Sequence, residues 1–319
     1  MLYALKTRVL DTAKAMKPII LKELADARRN KWLLGYTVLL AVLGLAVAYT
    51  GLGSAAGLSL TMFGRTTATL INLTLFLAPL VGVSIGAATI SGERDQGTLD
   101  HLLSQPIERG EVLLGKYIGL WTSLLLATII GFAPAGVVVA AFAGVASFYS
   151  FLIFPLLAQL VISAMLALGL LISVKSDGRS QSQTFAILVW FVFVLAYDLL
   201  LLSSFSITKF SADILAILLL LNPIDAGRVL SILLLEPDLY MLGPAGAFLI
   251  ESVGPLGTGA LLLSSLLTWT LVPLFIANRY FRLRSVDVVT EDKPAHADAK
   301  ISNVQMLILK GRKLRSSMS

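Results

Sequence analysis

The sequence predicts an all-α polytopic membrane protein with six transmembrane helices, and three observations carry that prediction. Apolar residues make up 57% of the 319 and charged residues 14%, against about 25% charged in a soluble domain. Six apolar runs are long enough to cross a bilayer, because about 20 residues at 1.5 Å rise cover a hydrocarbon core of about 30 Å. Lysine and arginine are concentrated in alternate connections between those runs. Lipid offers backbone groups no hydrogen bonds, and helices satisfy theirs locally. Cysteine is absent, which excludes disulfides and thiolate metal sites. No short apolar segment with a small-residue cleavage site precedes the first run, so no removed signal peptide is expected.

Residues 1–31 read as a cytoplasmic N-terminal arm. Within it, Pro18–Lys31 has Ile20, Leu24 and Ala27 at helical spacing, with Lys22, Glu23, Asp26, Arg28 and Arg29 mostly off that stripe. A basic amphipathic helix beside a span lies in the membrane interface; it serves as a topology anchor or packs also on a cytoplasmic partner. A six-span domain follows over 32–284, with spans at Trp32–Gly51, Thr69–Ile90, Tyr117–Ala141, Ser150–Val174, Thr184–Phe205 and Thr258–Ala277. Gly51–Thr66 and Phe142–Tyr149 read as short outer loops.

The outer segment 206–257 is apolar but broken at Asn222-Pro223. Ser211–Leu221 is too short to span and Ile224–Leu235 is a second short stretch, a pattern that suggests a re-entrant element. A seventh and eighth span would bury Asp225 and Arg228, so that reading ranks lower. The basic tail, 285–319, has a solvated linker at Glu291–Lys300 and a basic amphipathic stretch at Val304–Arg315, read as resting on membrane lipid.

Orientation follows from the basic residues. The arm, the 91–116 insert, the Lys175–Gln183 loop and the tail together hold 22, while the opposite side holds Arg65, Lys209 and Arg228. The positive-inside rule places both termini in the cytoplasm of a cell-membrane protein. The net charge of +6 follows from this bias and calls for no nucleic-acid partner.

The insert, SGERDQGTLDHLLSQPIERGEVLLGK, is the most polar stretch between two spans. Gly97-Thr98 offers a helix start with Asp100 near its positive end. Leu99, Leu102 and Leu103 form a small apolar face, and Pro106 ends it. A short helix tied to a span at each end can transmit force; the plainer alternative is a polar turn. Gly110 to Lys116 matches seven places of a phosphate-binding loop, but Tyr117 stands where a hydroxyl must ligate Mg²⁺, and no strand precedes it. Nucleotide binding by this chain is therefore excluded.

Catalysis and metal binding have no support. His101 and His296 lie far apart, with no paired histidine spacing, and the seven methionines are scattered. In the second span Asn72, Pro79, Gly82 and Gly86 share one face whose phase continues to Glu93, and Gly82-x-x-x-Gly86 admits close backbone approach. That face serves helix packing, a subunit contact or a pathway wall. Asp198 is the one carboxylate inside a predicted span and should face protein or water. A polar network, an interfacial position and substrate contact all remain open for it.

Glu93-x-x-x-Gly97-Thr98-Leu99-x-x-Leu102-Leu103-x-x-Pro106, followed by Gly115-Lys116, resembles the signature of the type-2 ABC exporter permease family. The layout is similar over about residues 18–285. Within that family it looks most like the permeases of transporters that mature nitrous-oxide reductase. Arg29-Asn30-Lys31-Trp32-Leu33-Leu34, Trp190-Phe191-x-Phe193-Val194 leading to Asp198, and Leu221-Asn222-Pro223-x-Asp225 with Arg228 carry that closer likeness. The arm and the tail are longer than the family pattern.

The resemblance implies a coupling helix between spans two and three. It also implies a homodimer joined to two copies of a separate ATPase, which would hold the ATP and Mg²⁺. This chain would be no enzyme and carry no cofactor of its own. A periplasmic or outer-surface accessory protein and a role in maturing a copper site are further implications. A two-component exporter of a drug, lipid or peptide is the rival within the class, and a non-transporting membrane scaffold the rival outside it.

Overall fold

A computed structural model describes residues 16–53, 61–104, 107–199, 211–235 and 243–283. Among them the chain is helical almost throughout and has no strand. The amphipathic helix α1 covers 16–27 and ends in a turn at Arg28 and Arg29. Asn30 Oδ1 accepts the backbone N–H of Trp32 at 3.0 Å, capping the first span helix α2 (Lys31–Gly53).

The second span helix, α3 (Thr61–Asp95), runs five residues past its predicted end at Ile90. Gly97 stops it from a left-handed φ of 67°. The Thr98 N–H bonds the Glu93 carbonyl at 3.0 Å and the Gly97 N–H bonds that of Arg94 at 3.1 Å, the two closures of a Schellman motif. Gly97 thus ends one helix where the sequence suggested that it begins another. The short α4 (Leu99–Leu103) starts after Thr98, and Pro106 lies outside the described residues.

The backbone of α5 (Arg109–Lys175) stays helical through 142–149, where the sequence predicts a loop. A straight helix of 67 residues would reach about 100 Å, yet its halves lie side by side. Trp121 Nε1 donates to Ser163 Oγ at 2.6 Å, and the Phe132 ring sits 5.4 Å from that of Phe154. The chain therefore reverses between Phe132 and Phe154, and α5 supplies both the third and the fourth span. The fifth, α6 (Arg179–Phe191), widens into a π-helical turn at Val192–Ala196.

Helices α7 (Ala212–Leu221) and α8 (Pro223–Leu235) meet at a 108° bend. A pair bent this sharply is either one broken span or a re-entrant element, and Asp225 is buried, which the sequence reading counted against membrane depth. Helix α9 (Gly243–Leu283) breaks at Gly254, φ 74°; Pro255 then opens a new first turn, where its missing N–H costs nothing.

Among the described residues six stretches are each long and apolar enough to cross a membrane: Lys31–Tyr49, Asn72–Asp95, Arg109–Ala141, Phe151–Lys175, Arg179–Leu199 and Ala245–Leu283. The fourth is the most enclosed, with 72% of its most apolar window buried, and the fifth the least, with 17%. The core accordingly centres on spans two to four. A Cβ on Gly86 would fall 2.6 Å from the Leu166 carbonyl oxygen, and one on Gly169 would overlap that of Val83. The small-residue face of the second span is therefore taken by the fourth span of the same chain; Pro79 is buried on it, and Asn72 is exposed.

Met1–Phe281 forms one compact unit and Arg282–Ser319 a second, of which Arg282 and Leu283 are described. The expectations for the arm before residue 16, for His296 and for the tail beyond 283 fall outside the described residues. So do residues 206–210 and 236–242 of the outer segment.

Candidate functional site

Three segments assigned by sequence to one membrane side meet at one end of the bundle. At their centre Lys116 Nζ donates to Glu23 Oε1 at 2.6 Å and to Glu93 Oε1 at 2.8 Å. Lys22 Nζ reaches the same Glu93 oxygen at 3.4 Å. The Lys116 side chain is 3% exposed, Glu23 10% and Glu93 15%. Burying one cation is tolerable here because two carboxylates surround it.

Local sequence explains why α1 docks at this point. Gly115 and Gly119 flank Lys116 on one face of α5, and a Cβ on either would press on Ile19 or Glu23. The missing side chains let α1 approach until Glu23 reaches the lysine. The buried stripe of α1 includes Ile19 and Glu23, so Glu23 lies in the packed face rather than off it. Sequence reasoning missed both Glu23 and Lys116. The available signal was a lysine between Gly115 and Gly119 at the mouth of a span, which needs an acidic partner.

The end of α3 is bound equally firmly to the loop before the fifth span. Asp95 Oδ2 accepts the backbone N–H of Arg179 at 2.8 Å, at the first turn of α6, where a carboxylate complements the helix dipole. Arg94 Nη1 donates to the Ser176 carbonyl. Ser173 Oγ accepts the N–H groups of Ile90 and Ser91 at 2.9 Å each, and the Ser91 and Ser182 hydroxyls pair at 2.7 Å. A displacement of α4 would reach α1 and spans two to five through these bonds.

Leu99, Leu102 and Leu103 are half-buried and pack against the chain's own core. The small apolar face read from the sequence is therefore turned toward the chain itself, and His101 and Ser104 form the exposed side. Glu93 belongs to the ion cluster. The phosphate-loop look-alike, Gly110 to Lys116, is helical.

A second polar cluster joins the α7–α8 bend to the fifth span. Asp225 Oδ1 accepts from Arg228 Nη1 at 2.5 Å and Oδ2 from Asn222 Nδ2 at 2.8 Å. Asn222 Nδ2 also donates to the Phe193 carbonyl at 2.9 Å, in the π turn. Asn222 Oδ1 caps α8 by accepting the Ile224 N–H at 3.0 Å. The sixth span adds Ser265 Oγ to the Leu220 carbonyl at 2.7 Å. Carbonyls left over by the bend and the π turn thus find side-chain donors, the condition for irregular backbone in lipid.

Asp198 stands at the rim of this cluster, 45% exposed and 3.6 Å from Arg228. The buried carboxylate is Asp225. Among the described residues no group of His, Asp and Glu has the arrangement of a metal site.

The chain matches the family described as ABC-2 family transporter protein over residues 17–286. It is 36% identical over 272 residues to the "Probable ABC transporter permease protein NosY" of Stutzerimonas stutzeri, covering 82% of this chain and 96% of that protein. It is 34% identical over 274 residues to the protein of the same name from Pseudomonas aeruginosa, covering 83% and 97%.

Proposed function

The chain belongs to the ABC-2 family of transporter proteins as an ABC permease subunit, and from that premise we propose that α4 is its coupling helix. A separate ATPase, present in two copies on a homodimer of this chain, binds ATP with Mg²⁺ and moves α4. Lys116 and its two carboxylates relay that movement to the spans, and substrate crosses outward. Joining α1, α3 and α5 through one buried cation is the observation that carries the reading. The arm, the 91–116 insert and the 175–183 loop face the cytoplasm of a cell membrane, as their basic residues require. On the resemblance set out above, the export serves maturation of a copper enzyme of the nitrous-oxide-reductase kind, with an accessory protein at the outer surface.

Cysteine substitution tests both orientation and docking, because the chain has no native thiol. Ser104→Cys should resist an impermeant thiol reagent in intact cells, while Ser54→Cys reacts. In inside-out vesicles Ser104→Cys and His101→Cys should label freely with the permease alone and be protected after the ATPase assembles. Leu102→Ser with Leu103→Ser should release the ATPase on purification. Permease yield is measured in parallel, since both leucines also pack on the chain's own core. Glu93→Gln should keep the complex but weaken the response of ATP hydrolysis to the permease. Labelling of Ser104→Cys from outside would overturn the orientation, and its full reactivity inside an assembled complex would overturn the docking role.

A further inference from the structure

Between α1, the end of α3 and the start of α6 lies a cleft of about 690 Å³, a size typical of small-molecule sites. Its lining changes character with depth. On α3 the apolar Ile85 lies eight residues, about 12 Å, deeper into the span than Glu93. On α6 Ile187 lies eight residues deeper than Arg179. Trp32, 66% exposed at the head of the first span, adds an aromatic edge. The shallow part carries Lys22 and Arg179 together with Asp26, Glu23 and Glu93. The cleft is thus uncharged toward the membrane interior, where Ile85, Leu120 and Ile187 lie beside Ser84 and Gln183, and charged in both signs at its surface.

Three of its groups have unused capacity. The bonds of Arg179 are made by its backbone, the N–H donating to Asp95 and the carbonyl accepting from the Ser182 hydroxyl, and its guanidinium forms no ion pair among the described residues. The Asp26 carboxylate is likewise unpaired among them. Glu93 Oε2 is buried and has no hydrogen-bond partner, although Oε1 of the same carboxylate accepts from two lysines. A buried acceptor of this kind calls for a donor.

We propose that the cleft is a binding site for a phospholipid with a zwitterionic, primary-amine headgroup, of the phosphatidylethanolamine class. The phosphate lies against Arg179 and Lys22, and guanidinium recognition of phosphate is strong and directional. The ammonium, with three donors, faces Asp26 and Glu93 Oε2. The acyl chains leave along Ile187, Ile85 and Trp32. A choline headgroup has no N–H to give these carboxylates, and an anionic glycerol headgroup brings no cation to them. The site shares Glu93 and Lys22 with the Lys116 cluster, whereas Asp26 and the Arg179 side chain take no part in that cluster, so variants at these two residues read the lipid apart from the coupling role.

The test is lipid retention by the full chain in its assembled complex, purified in mild detergent and followed by native mass spectrometry. Phosphatidylethanolamine, phosphatidylcholine and phosphatidylglycerol are supplied in equal amounts. Wild type should retain the ethanolamine lipid about tenfold over the other two, the scale of one hydrogen bond to a charged group. Arg179→Ala and Asp26→Asn should each lower that retention about tenfold while elution and melting temperature stay unchanged, both residues being exposed. Millimolar inorganic phosphate and glycerophosphoethanolamine should leave the lipid bound. Equal retention of the three lipids, or retention indifferent to both variants, overturns the proposal. Displacement by phosphate alone makes the cleft an anion site, and displacement by the soluble headgroup removes the lipid as its occupant.

Discussion

Lys116→Met should lower the stability of the permease by about 3–5 kcal/mol, the range for removing one partner of a buried ion pair. Methionine keeps an unbranched chain one atom shorter but leaves Glu23 and Glu93 facing each other without the cation that both contact. The measurement is the melting temperature in detergent, with the yield of monodisperse protein. Combining Lys116→Met with Glu23→Gln should recover part of the loss, because the orphaned carboxylate is then gone. Such a cycle isolates the pairwise energy. Glu93→Gln alone should cost less, since Glu93 is the more exposed carboxylate and Lys116 retains Glu23. A double variant as impaired as the sum of the singles would show that the two residues do not interact.

The second large effect is expected at the α7–α8 bend. Asp225→Leu removes the acceptor of both Arg228 Nη1 and Asn222 Nδ2, leaving Arg228 with Asp198 at 3.6 Å. A loss of about 3–5 kcal/mol follows, again for an orphaned buried charge. Asn222→Leu strips the Phe193 carbonyl of its donor and should cost about 1–3 kcal/mol, the penalty for one unsatisfied buried group. Asp198→Leu should be the mildest, because that carboxylate is 45% exposed. Melting temperatures of the three variants, measured side by side, give the order. A larger loss at Asp198 than at Asp225 would contradict it.

This order reverses what the sequence suggests. Asp198 drew attention as the one carboxylate in a long apolar run, a property visible in a linear window. Asp225 was singled out after Asn222-Pro223 but expected outside the membrane and unburied. The 108° bend carries it inward, and a bend angle has no signature in composition. Lys116 illustrates the same limit at the other end. Its sequence neighbours imitate a phosphate loop, whereas its partners, Glu23 and Glu93, lie 93 and 23 residues away. The leucines of α4 show it in a milder form: helical spacing identifies an apolar face but not what covers it. Gly97 was recognised as a boundary, although only its left-handed φ shows which helix it terminates.

The membrane class, the helical architecture and the six long apolar helices are legible in the linear chain. Partition into lipid depends on the summed transfer energy of a contiguous run, which needs no knowledge of neighbours. Which helices touch was decided by tertiary structure: Gly86 against Gly169, α1 against Gly115 and Gly119, and the reversal within α5. The membrane supplies little hydrophobic drive between helices, so their pairing rests on close packing and on polar groups finding partners. Those requirements are met by residues far apart in the chain, so Lys116 and Asp225 acquire their significance only when the helices are assembled.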